Sequence, residues 1–339
     1  MVWFKFVLCL VIILFAGTKA VRYGDAIGEK TGVGRIWIGL LLLAAVTSMP
    51  ELVTGVSAVA LVDFPYGSPD LAVGILFGSC AINLAILALL DILHRHTPLL
   101  SKASSEHILS AGWGILLIAI AAGSIFAGQR FSGLALGWMG LPSIVIFIVY
   151  LVALWQIFRF ERSHQPSSPQ ASPAQYEGIS ARTVYLRFTL AAMAVIGAGI
   201  WLSFIGDEIA EVTGWSASFV GSLFLAISSS APELVVAIAA LRLGAIDMAI
   251  ADILGSNMFN IAIVAPVDLA YRQGSVLSVA SDSHLVTAAT VVMMSLVVIT
   301  GVRFRAKRKT FAVASWYAPV LIALYILGAY LLFTWSAGL

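Results

Sequence analysis

Long apolar runs, separated by short polar segments, follow one another along the entire chain. Nearly every run approaches or exceeds the ~20 residues that an α-helix needs to cross ~30 Å of hydrocarbon. The pattern predicts an all-α polytopic membrane protein with about ten transmembrane helices. The runs lie near 6–18, 36–62, 71–93, 108–127, 134–158, 184–205, 215–243, 247–270, 284–302 and 313–335.

The first run is short enough to be a cleaved signal peptide, with a lysine on each side and Ala20 at the cleavage point. An internal repeat argues against cleavage. Residues 24–32 recur at 206–214 with six of nine identical, an offset of 182, and the second copy follows an uninterrupted apolar run. By symmetry, the first run is predicted to be a retained span, and the acidic segment around Asp207 to be a loop beyond its own span.

The duplication extends over the whole chain. The offset of 182 holds as far as the loop at 62–68. Beyond that loop the offset becomes 177, and the matching positions are Asp70 and Asp247, Gly78-Ser79 and Gly255-Ser256, Asn83 and Asn260, and Asp91 and Asp268. A polar stretch rich in Pro, Ser and Gln separates the copies. We predict a first repeat at 1–158, a linker at 159–183 and a second repeat at 184–339, with five spans in each repeat. An odd number of spans inserts the two repeats upside down relative to each other.

The placement of lysine and arginine supports this inversion. If the loop after the first span faces the cytoplasm, sixteen basic residues fall on the cytoplasmic side and three, Lys5, Arg130 and Arg272, on the other. Basic residues concentrate in the cytoplasmic loops of membrane proteins. We therefore predict a multi-pass protein of the inner or plasma membrane, with both termini outside and the linker in the cytoplasm.

Composition excludes most other classes of protein. The chain is 60% hydrophobic and 11% charged, with a mean hydropathy of +1.01, values far outside those of a water-soluble domain. Cys9 and Cys80 have no CxxC or Cys/His spacing, so neither a disulfide framework nor a zinc site is expected. The expected partners are inorganic cations and the lipid bilayer. No nucleic acid, cofactor or obligatory protein partner is expected.

Two glutamates lie inside apolar runs, where an ionisable side chain is costly and usually functional. They occupy matching stretches, Thr47-Ser48-Met49-Pro50-Glu51-Leu52-Val53 and Ser229-Ser230-Ala231-Pro232-Glu233-Leu234-Val235. Each proline is expected to break its helix and to free backbone carbonyls about one turn back, near Ala44 and Ala226. The carboxylates of Glu51 and Glu233, with the hydroxyls beside them, form an oxygen-only set of the kind that hard cations such as Ca²⁺ prefer.

A second duplicated motif follows each glutamate. In both copies Gly-Ser is followed by Asn at the fourth position after Ser, giving the pairs Ser79 and Asn83, and Ser256 and Asn260. Positions i and i+4 share one helix face, and the glycine permits close backbone approach. These side chains are candidates to complete the shell of oxygens from a neighbouring helix.

The doubled Ser/Thr-Ser-x-Pro-Glu-Leu-Val and Gly-Ser-x-x-x-Asn motifs resemble those of the cation/calcium antiporter superfamily, the sodium/calcium exchangers in particular. The resemblance covers nearly the whole chain. It implies a ten-helix antiporter, not an enzyme, that exchanges Ca²⁺ for Na⁺ by alternating access as helices 6–20 and 184–205 slide. It also implies ligation by the carbonyls of Ala44 and Ala226, and a diamond-like central site formed by Thr47, Ser48, Glu51, Ser79, Asn83, Ser229, Ser230, Glu233, Ser256 and Asn260.

The chain departs from this family pattern near the second Gly-Ser pair. Many sodium/calcium exchangers carry Asp where this chain has Asn260, so an antiporter of the same fold that exchanges Ca²⁺ for H⁺ or another cation is an alternative. Asp252, one helical turn before Ser256, either restores a charge near the site or is a half-exposed polar residue at the rim of its span. An intramembrane enzyme is an alternative of another class, although the sequence contains no HExxH motif.

Overall fold

The computed structural model describes residues 1–31, 47–62, 68–94, 97–128, 135–164, 180–242, 244, 246–311 and 313–336. The described residues are almost entirely helical. The helices are α1 (Val2–Thr31), α2 (Met49–Ala60), α3 (Pro69–Leu93), α4 (Glu106–Ala127), α5 (Leu141–His164), α6 (Ala181–Thr213), α7 (Ala217–Val220), α8 (Ala226–Ser229), α9 (Ala231–Arg242), α10 (Ile246–Ala262), α11 (Val264–Ala270), α12 (Val276–Val279), α13 (His284–Phe304) and α14 (Tyr317–Ser336). A 3₁₀ turn spans Leu99–Ser101, a π-helical turn spans Gly221–Leu225, and the strands β1 (Ala135–Leu136) and β2 (Met139–Gly140) form a small antiparallel hairpin.

The predicted polytopic membrane architecture is confirmed. Within the described ranges, eight helices are long and apolar enough to cross a membrane, and a bent pair, Ala217–Ser229 with Ala231–Arg242, adds a ninth. The remaining predicted span, 36–62, is described only from residue 47, where α2 is a helix of 12 residues. Ala44 and the rest of that run lie outside the described residues.

The first helix of each repeat is longer than predicted. The sequence predicted loops at the duplicated acidic segments, but α1 continues to Thr31 and α6 continues to Thr213. Helix-forming Glu and Ala residues in these segments extend the helices, and α6 stops only at Gly214, whose φ of 71° is the left-handed conformation that glycine adopts without strain. The prediction that Asp207 lies in a loop was therefore wrong.

α1 and α6 pack against each other as an antiparallel pair. Near the start of α1, Lys5 forms an ion pair with Glu208 near the end of α6, at 2.6 Å between Nζ and Oε2. Near the start of α6, Arg187 lies over the ring of Tyr23 and donates a hydrogen bond of 3.2 Å to its hydroxyl. Lys5 and Arg187 are separated by 182 residues, so corresponding positions of the two helices secure opposite ends of the pair.

The two repeats are related by an approximate twofold axis, and the central helices α3 and α10 cross near it. Both are largely buried, and they contact each other through Cys80 and Asn257, which occupy corresponding positions at the offset of 177. The Asn257 side-chain nitrogen donates to the Cys80 carbonyl at 3.3 Å, and the Cys80 thiol donates to the Asn257 carbonyl at 3.5 Å. Because each position meets its own counterpart, this contact lies close to the axis.

The aspartates at the starts of α3 and α10 make the same contacts in both copies. Asp70 at the start of α3 accepts from the backbone N–H of Ser281 at 2.8 Å and lies 3.0 Å from Nε2 of His284. At the start of α10, Asp247 makes the mirrored contacts, 2.7 Å to Ser104 and 2.9 Å to His107. Each aspartate therefore caps the loop that leads into a helix of the other repeat.

These contacts also fix the relative direction of the repeats. Asp70 places the start of α3 beside the start of α13, whereas Asp247 places the start of α10 beside the start of α4. α4 starts at the membrane surface where α3 ends, because only a short connection joins them. α10 therefore starts where α3 ends, and these two corresponding helices run in opposite directions.

Close backbone packing joins α3 to the first half of the bent pair, at Gly221 and Ser222. A Cβ atom added at Gly78 would overlap the carbonyl of Ser222, and one added at Gly221 would lie 2.7 Å from the carbonyl oxygen of Leu71. Only glycine permits this approach, as the sequence predicted for Gly78. The contact places Ser79, one residue along, beside the broken helix.

We expect Gly78→Ala to lower the thermal stability of the detergent-solubilised protein, because its methyl group would force α3 away from Ser222 at a cost of roughly 1–3 kcal/mol. The matched control is Gly123→Ala on α4, where an added Cβ meets nothing within 4 Å. That variant is expected to melt at the same temperature or slightly higher, since alanine favours helix. Equal melting temperatures for the two variants would contradict the backbone contact.

Candidate functional site

The second Pro-Glu stretch lies at a break in its helix. α8 ends at Ser229, α9 begins at Ala231, and the two segments are bent by 44°. Ser230 at the break has φ −81° and ψ 8°, and Ser48 before α2 has nearly the same conformation, φ −85° and ψ 12°. Because proline has no N–H to donate to the preceding turn, it lies in the first turn of a new helix in both copies.

The two glutamates are held by crossed hydrogen bonds between the repeats. The Ser48 hydroxyl donates to Oε1 of Glu233 at 3.1 Å, and the Ser230 hydroxyl donates to Oε1 of Glu51 at 3.1 Å. All four side chains are buried. Since Ser48 corresponds to Ser230 and Glu51 to Glu233, these two bonds are a single interaction formed twice.

A second mirrored pair of contacts surrounds the first. The hydroxyl oxygens of Thr47 and Ser256 lie 3.4 Å apart, and those of Ser79 and Ser229 lie 3.3 Å apart. Thr47 corresponds to Ser229 and Ser79 to Ser256, so these contacts are again related by the internal duplication. The structure thus brings both predicted motifs together at one buried place.

Several buried polar atoms of the two duplicated motifs have no hydrogen-bond partner among the described residues. They are Oε2 of Glu51, Oε2 of Glu233, and both side-chain polar atoms of Asn83 and Asn260. An unpartnered buried polar atom is costly, so a group that compensates it is expected. The carboxylate and amide oxygens in this set are ligands for a hard cation such as Ca²⁺ or Na⁺.

The carboxylates alone do not form a metal centre. Across the described ranges, no three His, Cys, Asp or Glu side chains converge in a way that would hold a metal ion. A cation between Glu51 and Glu233 therefore needs neutral oxygens to complete its shell. The surrounding hydroxyls and amides are the candidates to supply them.

The Ala226 carbonyl is engaged in this conformation. It accepts from the backbone N–H of Ser230 at 3.0 Å and from the hydroxyl of Ser229 at 3.3 Å. Ligation of a cation by this carbonyl would require the Ser229 hydroxyl to rotate away. The corresponding residue, Ala44, lies outside the described part of the chain.

Asp252 is not a rim residue. It lies away from the ends of α10, and its side chain is buried, only 3% exposed. Both carboxylate oxygens lack a hydrogen-bond partner among the described residues. The interpretation of Asp252 as a half-exposed polar residue was therefore wrong. The mirrored Asp-His pairs were missed at the sequence level, although the offset of 177 also relates His107 to His284 and Ser104 to Ser281.

The crossed pairing is testable with double-mutant cycles on thermal stability. We expect Ser48→Ala to couple to Glu233→Gln, and Ser230→Ala to Glu51→Gln, by about 1 kcal/mol, the difference between a hydrogen bond to a charged carboxylate and one to the neutral amide oxygen that glutamine retains. The uncrossed combinations, Ser48 with Glu51 and Ser230 with Glu233, are the matched controls and should be nearly additive. Stronger coupling within each repeat than between repeats would refute the crossed geometry.

The chain is similar to known membrane proteins in sequence and in fold. The chain is 24% identical over 273 residues to the inner membrane protein YrbG of Escherichia coli, with 75% of each chain covered. It is 24% identical over 351 residues to the sodium/calcium exchanger MaX1 of Methanosarcina acetivorans, with 94% of each chain covered. A structure of the sodium-calcium exchanger NCX_Mj, soaked with Na⁺ and Ca²⁺, has the same fold, with a TM-score of 0.62, 20% identity and 97% of each chain covered.

A family model describes nearly all of the sequence. The model of the sodium/calcium exchanger protein family matches residues 1–156 and 183–335, leaving the linker between the two matched parts. Members of this family are transporters, so the alternative of an intramembrane enzyme is set aside. The chain belongs to the sodium/calcium exchanger family and is a multi-pass membrane cation antiporter.

Proposed function

We propose that this antiporter exchanges Ca²⁺ for Na⁺ across the membrane by alternating access, with the transported cation held between Glu51 and Glu233. The observation that supports this proposal is the crossed hydrogen bonding, which holds one oxygen of each carboxylate and leaves the other without a partner at a fully buried place. Two such oxygens within one buried cluster offer the ligands and the charge for one divalent ion.

Electrostatics explains why such a site exchanges its ions. Two carboxylates in a low dielectric repel each other and resist desolvation, so an empty site is unfavourable. One Ca²⁺ balances both charges, and monovalent cations are able to replace it. Rival ions therefore occupy the site in turn. The coordination shell of either ion is completed by neutral oxygens, those of Asn83 and Asn260 and the hydroxyls of Thr47, Ser79, Ser229 and Ser256.

The α1–α6 pair is the element that we propose to move. Gly17 of α1 is so close to Pro232 that an added Cβ would lie 2.5 Å from its ring, and an added Cβ at Gly199 of α6 would lie 2.9 Å from Val53. Gly17 and Gly199 correspond at the offset of 182. Each sliding helix thus contacts the Pro-Glu helix of the opposite repeat, beside the proposed cation.

The alternative to Na⁺ as the counter-ion is H⁺. Asn260 removes a carboxylate from the position where many sodium/calcium exchangers carry Asp, and this favours a Ca²⁺/H⁺ antiporter. The relative named as a sodium/calcium exchanger favours Na⁺. Ca²⁺ uptake into proteoliposomes under a Na⁺ gradient at constant pH, and then under a pH gradient without Na⁺, separates the two.

The orientation in the membrane is proposed from the basic residues. We place both termini outside and residues 159–183 in the cytoplasm, with repeats at 1–158 and 184–339. An inner or plasma membrane location is supported by the relative from the inner membrane of Escherichia coli.

Replacing either central glutamate is expected to abolish exchange. Glu51→Gln and Glu233→Gln each remove a charge that the cation needs, so Na⁺-driven Ca²⁺ flux in proteoliposomes should fall at least about a hundredfold, equivalent to about 2.7 kcal/mol. Both variants should still insert and elute as folded protein, because removing a buried charge relieves repulsion. The control is Glu211→Gln, an exposed position on α6, which should transport normally. Flux retained in both glutamine variants would refute the proposed function.

The orientation is testable with single cysteines, since Cys9 and Cys80 are both buried and give little background. Asp282→Cys should react with a membrane-impermeant maleimide in intact cells. Lys102→Cys should react only after permeabilisation. Both positions are exposed, so differences in labelling report the side of the membrane. The opposite labelling pattern would reverse the proposed orientation.

A further inference from the structure

Asp252 breaks the symmetry between the repeats. Its counterpart at the offset of 177 is Ile75, which is fully buried in the apolar core, and Asp252 is itself only 3% exposed. A carboxylate at a position where the other repeat carries a hydrocarbon costs folding free energy, because a buried charge without a partner is among the most expensive groups in a protein. Its presence points to a ligand that compensates the charge.

The described protein groups do not provide this compensation. Both oxygens of Asp252 lack hydrogen-bond partners, and none of the ion pairs in the described ranges includes it. Ser256, one helical turn further along α10, contacts Thr47 of the central site, so Asp252 adds a like charge to the buried region of the two glutamates, and like charges repel. A cation placed beside Asp252 would compensate its charge and weaken this repulsion.

The position of Asp252 is next to the central site but outside it. Asp252 lies four residues before Ser256 on the same face of α10, a displacement of ~6 Å along the helix axis. It is displaced toward the start of α10, where Asp247 contacts His107. This offset is consistent with the absence of a three-carboxylate cluster among the described residues.

We propose that Asp252 holds a Na⁺ ion at a second cation position beside Glu233, separate from the cation between the two glutamates. This inference rests on the proposed exchange function and extends it. If Glu51, Glu233 and Asp252 are all ionised, one Ca²⁺ compensates two of their negative charges and one Na⁺ the third. A single carboxylate suits a monovalent ion, because Ca²⁺ takes six to eight oxygens. With the proposed orientation, the second position faces the cytoplasmic side.

The test is the Na⁺ dependence of thermal stability of the purified protein without Ca²⁺, with choline replacing Na⁺ to hold ionic strength. In the wild-type protein Na⁺ should raise the melting temperature by mass action. Asp252→Asn and Asp252→Ile, which installs the residue of the other repeat, should melt higher than wild type without Na⁺. Both should need at least about tenfold more Na⁺ for a half-maximal shift. The charge-matched control is Asp282→Asn in an exposed loop, which should behave as wild type.

Two results would overturn the inference. One is an unchanged Na⁺ response in both Asp252 variants, whatever their melting temperatures without Na⁺. The other is a melting temperature of the wild-type protein that is the same in Na⁺ as in choline, which would mean that no Na⁺ site contributes. Failure of the proposed function is distinguishable, because wild-type proteoliposomes would then show no Na⁺-driven Ca²⁺ flux. Normal wild-type flux with an unchanged Na⁺ response in the variants refutes the Asp252 site alone.

Discussion

The crossed hydrogen bonds between the repeats are the interaction on which the rest of the site depends. Each glutamate is buried in the membrane-spanning part of the protein, where an ionised side chain without a partner would be prohibitively costly. A serine of the opposite repeat supplies one donor, Ser48 for Glu233 and Ser230 for Glu51. Neither repeat alone can satisfy its own carboxylate in this way, so the site exists only where the two copies meet. Each carboxylate is hydrogen-bonded through only one of its two oxygens. This matters equally, because the second oxygen remains available to an ion.

The sequence was sufficient to predict the features that follow from periodicity and duplication. Long apolar runs predicted the spans, and the matching Pro-Glu stretches predicted which side chains meet. Symmetry alone could not decide whether Ser48 faces Glu51 or Glu233, since either arrangement is equally symmetric. The ends of α1 and α6 were predicted wrongly because charged segments such as Glu208–Glu211 continue a helix once a partner such as Lys5 lies beside it. The burial of Asp252 depends on neighbouring helices, which no local pattern reveals.

A further pair of corresponding aspartates, Asp91 and Asp268, fixes the loops at the ends of the helices around the site. Asp91 accepts from the backbone N–H groups of Leu99 and Ser315 at 2.9 and 2.7 Å, and Asp268 accepts from those of Val276 and Gly140 at 2.6 and 2.7 Å. Lys309 adds an ion pair to Asp91, at 3.7 Å. Loops that would otherwise leave backbone donors unsatisfied are thus held to the helix ends. In the proposed cycle, these contacts hold α3 and α10 in place while α1 and α6 move.

The antiparallel pairing of α1 and α6 has a consequence for the coupling of fluxes. The ion pair of Lys5 with Glu208 and the contact of Arg187 with Tyr23 hold the two helices together at both ends. In the proposed cycle they therefore travel as one body, so that a displacement which uncovers the site at one surface covers it at the other. A pore open to both surfaces would require the helices to part and both contacts to break. The arrangement consequently opposes uncoupled leakage of ions down their gradients.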